Sequence, residues 1–233
     1  MGDDKPPKVI LEVNGKPLIV HLLDMLSQLG IDCPYVVVGH RQELIRSAIS
    51  DRNVQYVEQL ESKGTGHAVL AAKSAVDERF ERVFLLYGDT PFVSAKTLRA
   101  THAKLDDPTV VCALVTATRG ETTDRFGRIV RSDAGDLQAI VEYKNATDEQ
   151  RAITEVNVGA YCARLPWLWE ALSQVEINPV TNEYYLTDIV QIALRAKQRV
   201  VPVLTSMDES HGIDTPGAYE LVKSAKVGEN TNR

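Results

Sequence analysis

Cysteine is scarce in this chain: Cys33, Cys112 and Cys162 are the three in 233 residues, and they stand far apart. No pair has metal-ligand or redox-motif spacing, which excludes a zinc ribbon or a thiol-redox module and leaves small apolar side chains in a reducing compartment. Basic residues are outnumbered, 26 Lys and Arg against 32 Asp and Glu, for a formal charge of −6. A dedicated nucleic-acid binder would carry a basic footprint, so that class is excluded, whereas a small anionic substrate needs only a local cluster of donors. Long apolar runs are also missing. None approaches the roughly 20 residues of a membrane helix, and Met1-Gly2-Asp3-Asp4-Lys5-Pro6-Pro7-Lys8 has no apolar stretch behind its charges, so neither a membrane span nor a signal peptide is expected. With 44% hydrophobic and 25% charged residues, the chain reads as globular, acidic and cytoplasmic, of a size that suits one larger domain.

Helical and strand-like segments alternate along the whole length. Leu18, Ile19, Leu22, Leu23, Leu26 and Leu29 recur at helical spacing, with Pro17 in a first turn and Gly30 as the stop, which predicts a helix over 17–29. Tyr35-Val36-Val37-Val38 and Arg82-Val83-Phe84-Leu85-Leu86-Tyr87 are short continuous apolar runs, the pattern of parallel strands buried on both faces. Further strands are expected at 54–57, 110–118, 156–162 and 199–204, and helices at 41–49, 66–76, 94–105, 165–172, 184–197 and 216–225. Between 128 and 141, two short runs flank Asp133-Ala134-Gly135-Asp136, a hairpin signature. The reading is an open, mostly parallel α/β sheet with helices on both faces and a small β-hairpin insertion. It spans one domain, residues 1–227, with a polar tail at 228–233.

Ligands bind such sheets beyond the carboxyl ends of the strands, so the loops there are the places to look. Gly64-Thr65-Gly66 opens a helix: its glycines permit close backbone approach and the helix N-terminus offers free N–H groups. The alternative reading is an ordinary loop with Thr65 as N-cap. Asp89, after the strand that ends near Tyr87 and Gly88, is placed to hold Mg²⁺ with substrate phosphates, or to cap the next turn. The hairpin carries Gly127 and Arg128, with Glu142 and Lys144 on its far arm; charges there ordinarily make a solvated face. Asn157, among alternating apolar residues, is harder to dismiss as surface.

The stretches Pro7-Lys8-Val9, Asn14-Gly15-Lys16-Pro17-Leu18, Gly64-Thr65-Gly66-His67-Ala68, Tyr87-Gly88-Asp89-Thr90-Pro91, Phe126-Gly127-Arg128-Ile129, Ile140-Val141-Glu142-Tyr143-Lys144-Asn145-Ala146-Thr147, Glu155-Val156-Asn157-Val158-Gly159 and Asn182-Glu183-Tyr184-Tyr185-Leu186-Thr187-Asp188 occur in this order. Together they resemble the uridyltransferase domain of bacterial N-acetylglucosamine-1-phosphate uridyltransferases, within the MobA-like sugar-phosphate nucleotidyltransferases. The resemblance implies a Rossmann-like fold of the nucleotide-diphospho-sugar transferase type. It implies the conversion of UTP and N-acetylglucosamine 1-phosphate to UDP-N-acetylglucosamine and pyrophosphate, with Mg²⁺, on the way to cell-wall peptidoglycan. By the same resemblance Lys8 contacts nucleotide phosphates, with Lys5 a lesser candidate, and Gln59, Gly64 and Thr65 read the uracil. Tyr87, Gly88 and Asp89 match the ribose and metal region, Gly127, Glu142 and Asn157 match the amino-sugar subsite, and Asp214 matches the second metal ligand. His67 and His211 are expected to be structural, and Tyr184, Tyr185, Glu183 and Asp188 to anchor the helix they open.

Two departures bear on that reading. Asp214 replaces the asparagine usual in the resembled group, and both side chains supply oxygen to Mg²⁺. The group also begins with a buried strand and the signature L-x-x-G-x-G-T-R-M, whose backbone wraps phosphates; no such signature precedes Lys8 here. The expectation is a start at an internal methionine, which leaves two alternatives open: an enzyme for another sugar 1-phosphate of glucose or mannose type, or a non-catalytic sugar-nucleotide-binding module. The resembled bifunctional enzymes carry a hexapeptide-repeat acetyltransferase domain as well; these 233 residues hold no such repeat, so acetyl transfer is not expected of them. No oligomeric state follows from the sequence.

Overall fold

Asn14 (φ 53°) and Gly15 (φ 73°) both adopt left-handed backbone, the requirement of a tight two-residue hairpin turn. They reverse the chain between β1 (Glu12–Val13) and β2 (Lys16–Pro17), which pair antiparallel. The computed structural model describes residues 6–118, 126–206 and 208–210. Pro17, expected in the first turn, stands instead as the N-cap of α1 (Leu18–Ser27). In α1, Leu18, Ile19, Leu22, Leu23 and Leu26 are buried, as their spacing requires.

The next unit is β3 (Tyr35–Val38), α2 (Gln42–Ala48) and β4 (Gln55–Glu58), a parallel strand pair joined through a helix. Then come α3 (Thr65–Ala71), β5 (Arg82–Leu86) and α4 (Ala95–Ala103), the last capped by the Ser94 hydroxyl, which accepts from the Thr97 N–H. The second half contains β6 (Val110–Thr118), β7 (Arg128–Arg131), β8 (Leu137–Val141), α5 (Asp148–Arg151), β9 (Glu155–Arg164), α6 (Leu165–Leu172), α7 (Asp188–Arg195) and β10 (Arg199–Thr205). A Thr147–Gln150 capping box starts α5.

Six of these strands form one sheet. β10 is parallel to β6, and β9 lies antiparallel between β5 and β6, so that β5, β6 and β10 share one direction. Cys162 is paired with both Phe84 and Ala113. The expected hairpin, β7–β8, joins this sheet through the pairing of Arg128 with Val156 of β9. Alternate residues of the central strands feed opposite faces. Leu114, Tyr161 and Ala163 pack with α6 and α7, and Val115, Val158 and Ala160 pack with α1 and α4. The Leu and Val side chains among these, buried this completely, contribute roughly 1.5–3 kcal/mol each. Val36, Val38, Phe84 and Leu86 join the α1 side of the core, although among the described strands β3 pairs only with β4.

Four details differ from the sequence reading. The helix expected over 66–76 ends at Ala71. That expected from 184 begins at Asp188, because the backbone of 184–186 is committed to the loop before α3: Tyr184 N–H donates to Lys63 O and Gly66 N–H to Tyr184 O. The N-cap of α3 is Gly64 rather than Thr65. Arg128 is fully buried rather than solvated, because its guanidinium donates to the Arg151 and Phe126 carbonyls and lies over the Tyr143 ring. The helix expected near 216–225, Asp214, His211 and Lys5 lie outside the described residues.

Candidate active site

The loop leaving β4 is tied to the segment that leads into α7. Gly64 has φ +96°, and a Cβ there would stand 2.6 Å from the Tyr184 carbonyl oxygen, so only glycine fits. Thr65 Oγ1 accepts from the Leu186 N–H at 3.0 Å. Gln59 continues from β4, its N–H donating to Val38 O at 2.7 Å, and its side-chain amide donates to Gly64 O at 3.1 Å and meets His67 Nδ1 at 2.9 Å. The residues matched to uracil reading therefore form one hydrogen-bonded unit.

Beyond β5 the chain packs on β9 and on residues 8–10. Tyr87 N–H donates to Gly159 O at 2.9 Å. Gly159 (φ +80°) has no room for a side chain, since a Cβ would lie 2.5 Å from Tyr87 Cδ2. The Tyr87 ring also faces Tyr161, centroids 6.3 Å apart. Burial pushes the Tyr87 phenol up, Glu142 adds to this, the Thr65 and Tyr161 side chains oppose it, and Asp89 adds a smaller upward push. Val9 touches the space above Gly88, where a Cβ would stand 2.9 Å from Val9 Cγ1. The adjacent Lys8 heads the short 3₁₀ turn Lys8–Ile10, so it and Asp89 flank the same contact.

The third group gathers where the hairpin meets β9. A Cβ on Gly127 would lie 2.9 Å from Ile140 Cγ2, 3.6 Å from Glu142 Oε1 and 3.7 Å from Asn157 Cβ, so Glu142 and Asn157 gather beside a glycine whose α-position Ile140 crowds. Asn157 is buried; its Oδ1 accepts from the Gly159 N–H at 3.2 Å, which leaves Nδ2 as a donor. Glu142 Oε1 accepts from Thr187 Oγ1 at 2.9 Å, leaving Oε2 as an acceptor. Burial holds the Glu142 carboxyl above the ordinary carboxylate range against the Thr187 hydrogen bond; Asp188 and Glu183 add repulsion and Lys144 opposes them.

Gln59, Gly64, Thr65, Tyr87, Gly88, Gly127, Glu142 and Asn157 are thus linked by direct contacts or by one shared neighbour, with Lys8 and Asp89 beside them. Thr187 and His67 touch site residues, and sequence reasoning did not place either in the site. The signal was available for both, since each sits inside a quoted motif. Among the described residues no group of three His, Cys, Asp or Glu side chains could hold a metal, and no helix is long and apolar enough to cross a membrane.

Bifunctional protein GlmU of Halalkalibacterium halodurans is 38% identical over 226 residues, covering 97% of this chain and 48% of that protein. The protein of the same name from Heliobacterium modesticaldum is 38% identical over 227 residues, covering 96% and 48%. The chain spans about half the length of these curated relatives. Among solved structures, UDP-glucose pyrophosphorylase complexed with UDP-glucose superposes with a TM-score of 0.69 at 19% identity, over 94% of this chain and 89% of that one. CMP:2-keto-3-deoxy-manno-octonic acid synthetase complexed with CTP gives 0.68 at 18%, over 95% and 92%. Those two likenesses establish the fold, and the match of residues 1–181 to the MobA-like NTP transferase domain establishes the family to which this chain belongs.

Proposed function

We propose that this chain transfers a uridylyl group from UTP to N-acetylglucosamine 1-phosphate, releasing pyrophosphate and forming UDP-N-acetylglucosamine. One observation supports the choice of sugar: a buried amide, Asn157, and a carboxylate, Glu142, gather beside Gly127 where the hairpin meets β9, with Glu142 Oε1 3.6 Å and Asn157 Cβ 3.7 Å from where a Gly127 Cβ would stand. An amide and a carboxylate side by side suit the amide and hydroxyl edge of an N-acetylated sugar. The relatives named bifunctional protein GlmU, and a neighbour solved with UDP-glucose, support a nucleotide-sugar product.

In the reaction an oxygen of the sugar phosphate attacks the α-phosphorus of UTP; the new O–P bond forms as the bond to the β-phosphate oxygen breaks. The nucleophile is already an anion, so no general base is required, and catalysis is largely positioning and charge neutralisation. Lys8 offsets charge developing on the α-phosphoryl group. Tyr87 and Gly88 support the ribose, and Gln59, Gly64 and Thr65 surround the base. Asp89 is a half-buried carboxylate in the loop beyond β5, which fits Mg²⁺, an ion that takes one or two carboxylates together with waters and substrate phosphates. Asp89, with Asp214 as the second ligand the resemblance implies, would hold the ion, which would supply charge neutralisation for the phosphates.

Calorimetry with UDP-N-acetylglucosamine, UDP-glucose and UDP-mannose tests the assignment. Tightest binding of the N-acetylated sugar nucleotide, weakened by Asn157→Ala, is the expected result. Preference for UDP-glucose would move the assignment to the glucose-type alternative, and binding of none of the three would remove it.

A further inference from the structure

The side-chain nitrogen of Gln59 lies 3.1 Å from Gly64 O and 2.9 Å from His67 Nδ1. A carbonyl oxygen can only accept, so the atom facing Gly64 must be the amide nitrogen. That nitrogen has two protons. One goes to Gly64, and the other goes to His67 Nδ1, which is then the unprotonated ring nitrogen, with the imidazole proton on Nε2. The His67 ring is in turn stacked on Tyr184, centroids 6.3 Å apart with 28° between planes. Tyr184 is fastened to the same loop by its bonds to Lys63 O and from Gly66 N–H. Both donor positions of Gln59 are therefore consumed inside the protein, and no described residue donates to its Oε1.

We infer that His67 is a positioning residue: it locks the Gln59 amide so that Gln59 offers the base an acceptor and no donor. An acceptor at that point selects a base edge that presents a donor, as N3–H of uracil does. It rejects one that presents an acceptor, as N3 of cytosine does. Turning the amide over would set Oε1 against two acceptors, Gly64 O and His67 Nδ1, so the selection is built into the protein before any nucleotide arrives. The inference rests on reading this loop as a uridine-nucleotide site.

Two measurements on the full chain test it. Long-range ¹H–¹⁵N NMR reports the His67 tautomer without any nucleotide, and calorimetry with UTP and CTP in the presence of Mg²⁺ reports the preference. The lock requires the Nε2–H tautomer. It also requires that the UTP-over-CTP preference fall by roughly tenfold, the worth of one hydrogen bond, in His67→Ala. His67→Asn, whose side-chain oxygen can replace Nδ1 as acceptor, should restore it. An Nδ1–H tautomer overturns the lock whatever the nucleotide results, and so does an unchanged preference in His67→Ala while wild type prefers UTP. A wild type that binds UTP and CTP alike, or neither, overturns the uridine reading and the selection with it. Should His67→Ala not fold, the tautomer and the His67→Asn preference still decide.

Discussion

Thr187 Oγ1 donates a hydrogen bond to Glu142 Oε1 at 2.9 Å, joining the residue before α7 to the exit of the β7–β8 hairpin, 45 residues away in sequence. Thr187 is buried, so its hydroxyl has a defined direction and fixes one carboxylate oxygen while leaving the other for a ligand. Thr187→Ala should raise the KM for the sugar phosphate by about tenfold, the worth of one hydrogen bond to a charged group. UTP binding should stay unchanged, and Thr187→Ser should behave as wild type. Steady-state kinetics with each substrate varied in turn checks this.

Glu142 also gives the protein a pH signature. Its pKa is raised above the 4.5 of a free glutamate, chiefly by burial. The folded state therefore holds the proton to higher pH than the unfolded chain does, and stability falls as pH rises from 4.5 through the folded value. Glu142→Gln removes that slope while keeping an oxygen for Thr187. Thermal melts across pH should show the variant gaining on wild type above that window and not below it, even as sugar binding is lost.

Gly159→Ala should be costly for a geometric reason. It forces a side chain onto φ +80° and into the Tyr87 ring, 2.5 Å from Cδ2. Backbone strain of this kind costs about 1–3 kcal/mol, and the displaced ring would disturb the proposed ribose end of the site. Denaturant unfolding should show the loss, and calorimetry a weaker hold on UTP.

Arg128→Leu should destabilise by roughly 2–4 kcal/mol, because it leaves the Arg151 and Phe126 carbonyls without their donor. It also strips the cation from the Tyr143 ring. Equilibrium unfolding in urea measures the difference.

The loops that bring the candidate residues together could be anticipated from the sequence because they are local, while the roles of those residues come from the resemblance. Gly64-Thr65-Gly66 opens α3 and Tyr87-Gly88-Asp89 follows β5, where short-range pattern and turn chemistry are informative, and Asn157 stands out as a polar residue among the alternating apolar ones of β9. The burial of Arg128 was not legible: hairpin alternation does not say what covers a face, and here Tyr143 and Arg151 cover it. Thr187 and His67 escaped for a related reason. Their roles depend on residues 184–186 pairing with residues 63–66, and Leu186 bonds to Thr65 from 121 positions away. Apolar spacing alone made 184–187 look like the first turn of a helix, whereas their backbone groups were already engaged elsewhere.

The most direct test of the account is turnover. The 233-residue chain is incubated with UTP, N-acetylglucosamine 1-phosphate and Mg²⁺, and nucleotide sugar and pyrophosphate are quantified together. The account predicts UDP-N-acetylglucosamine and pyrophosphate in equal amounts, no product when the metal is chelated, and loss of turnover in Asp89→Ala. Binding of UDP-N-acetylglucosamine without any pyrophosphate release, from this or any other sugar 1-phosphate, would contradict it.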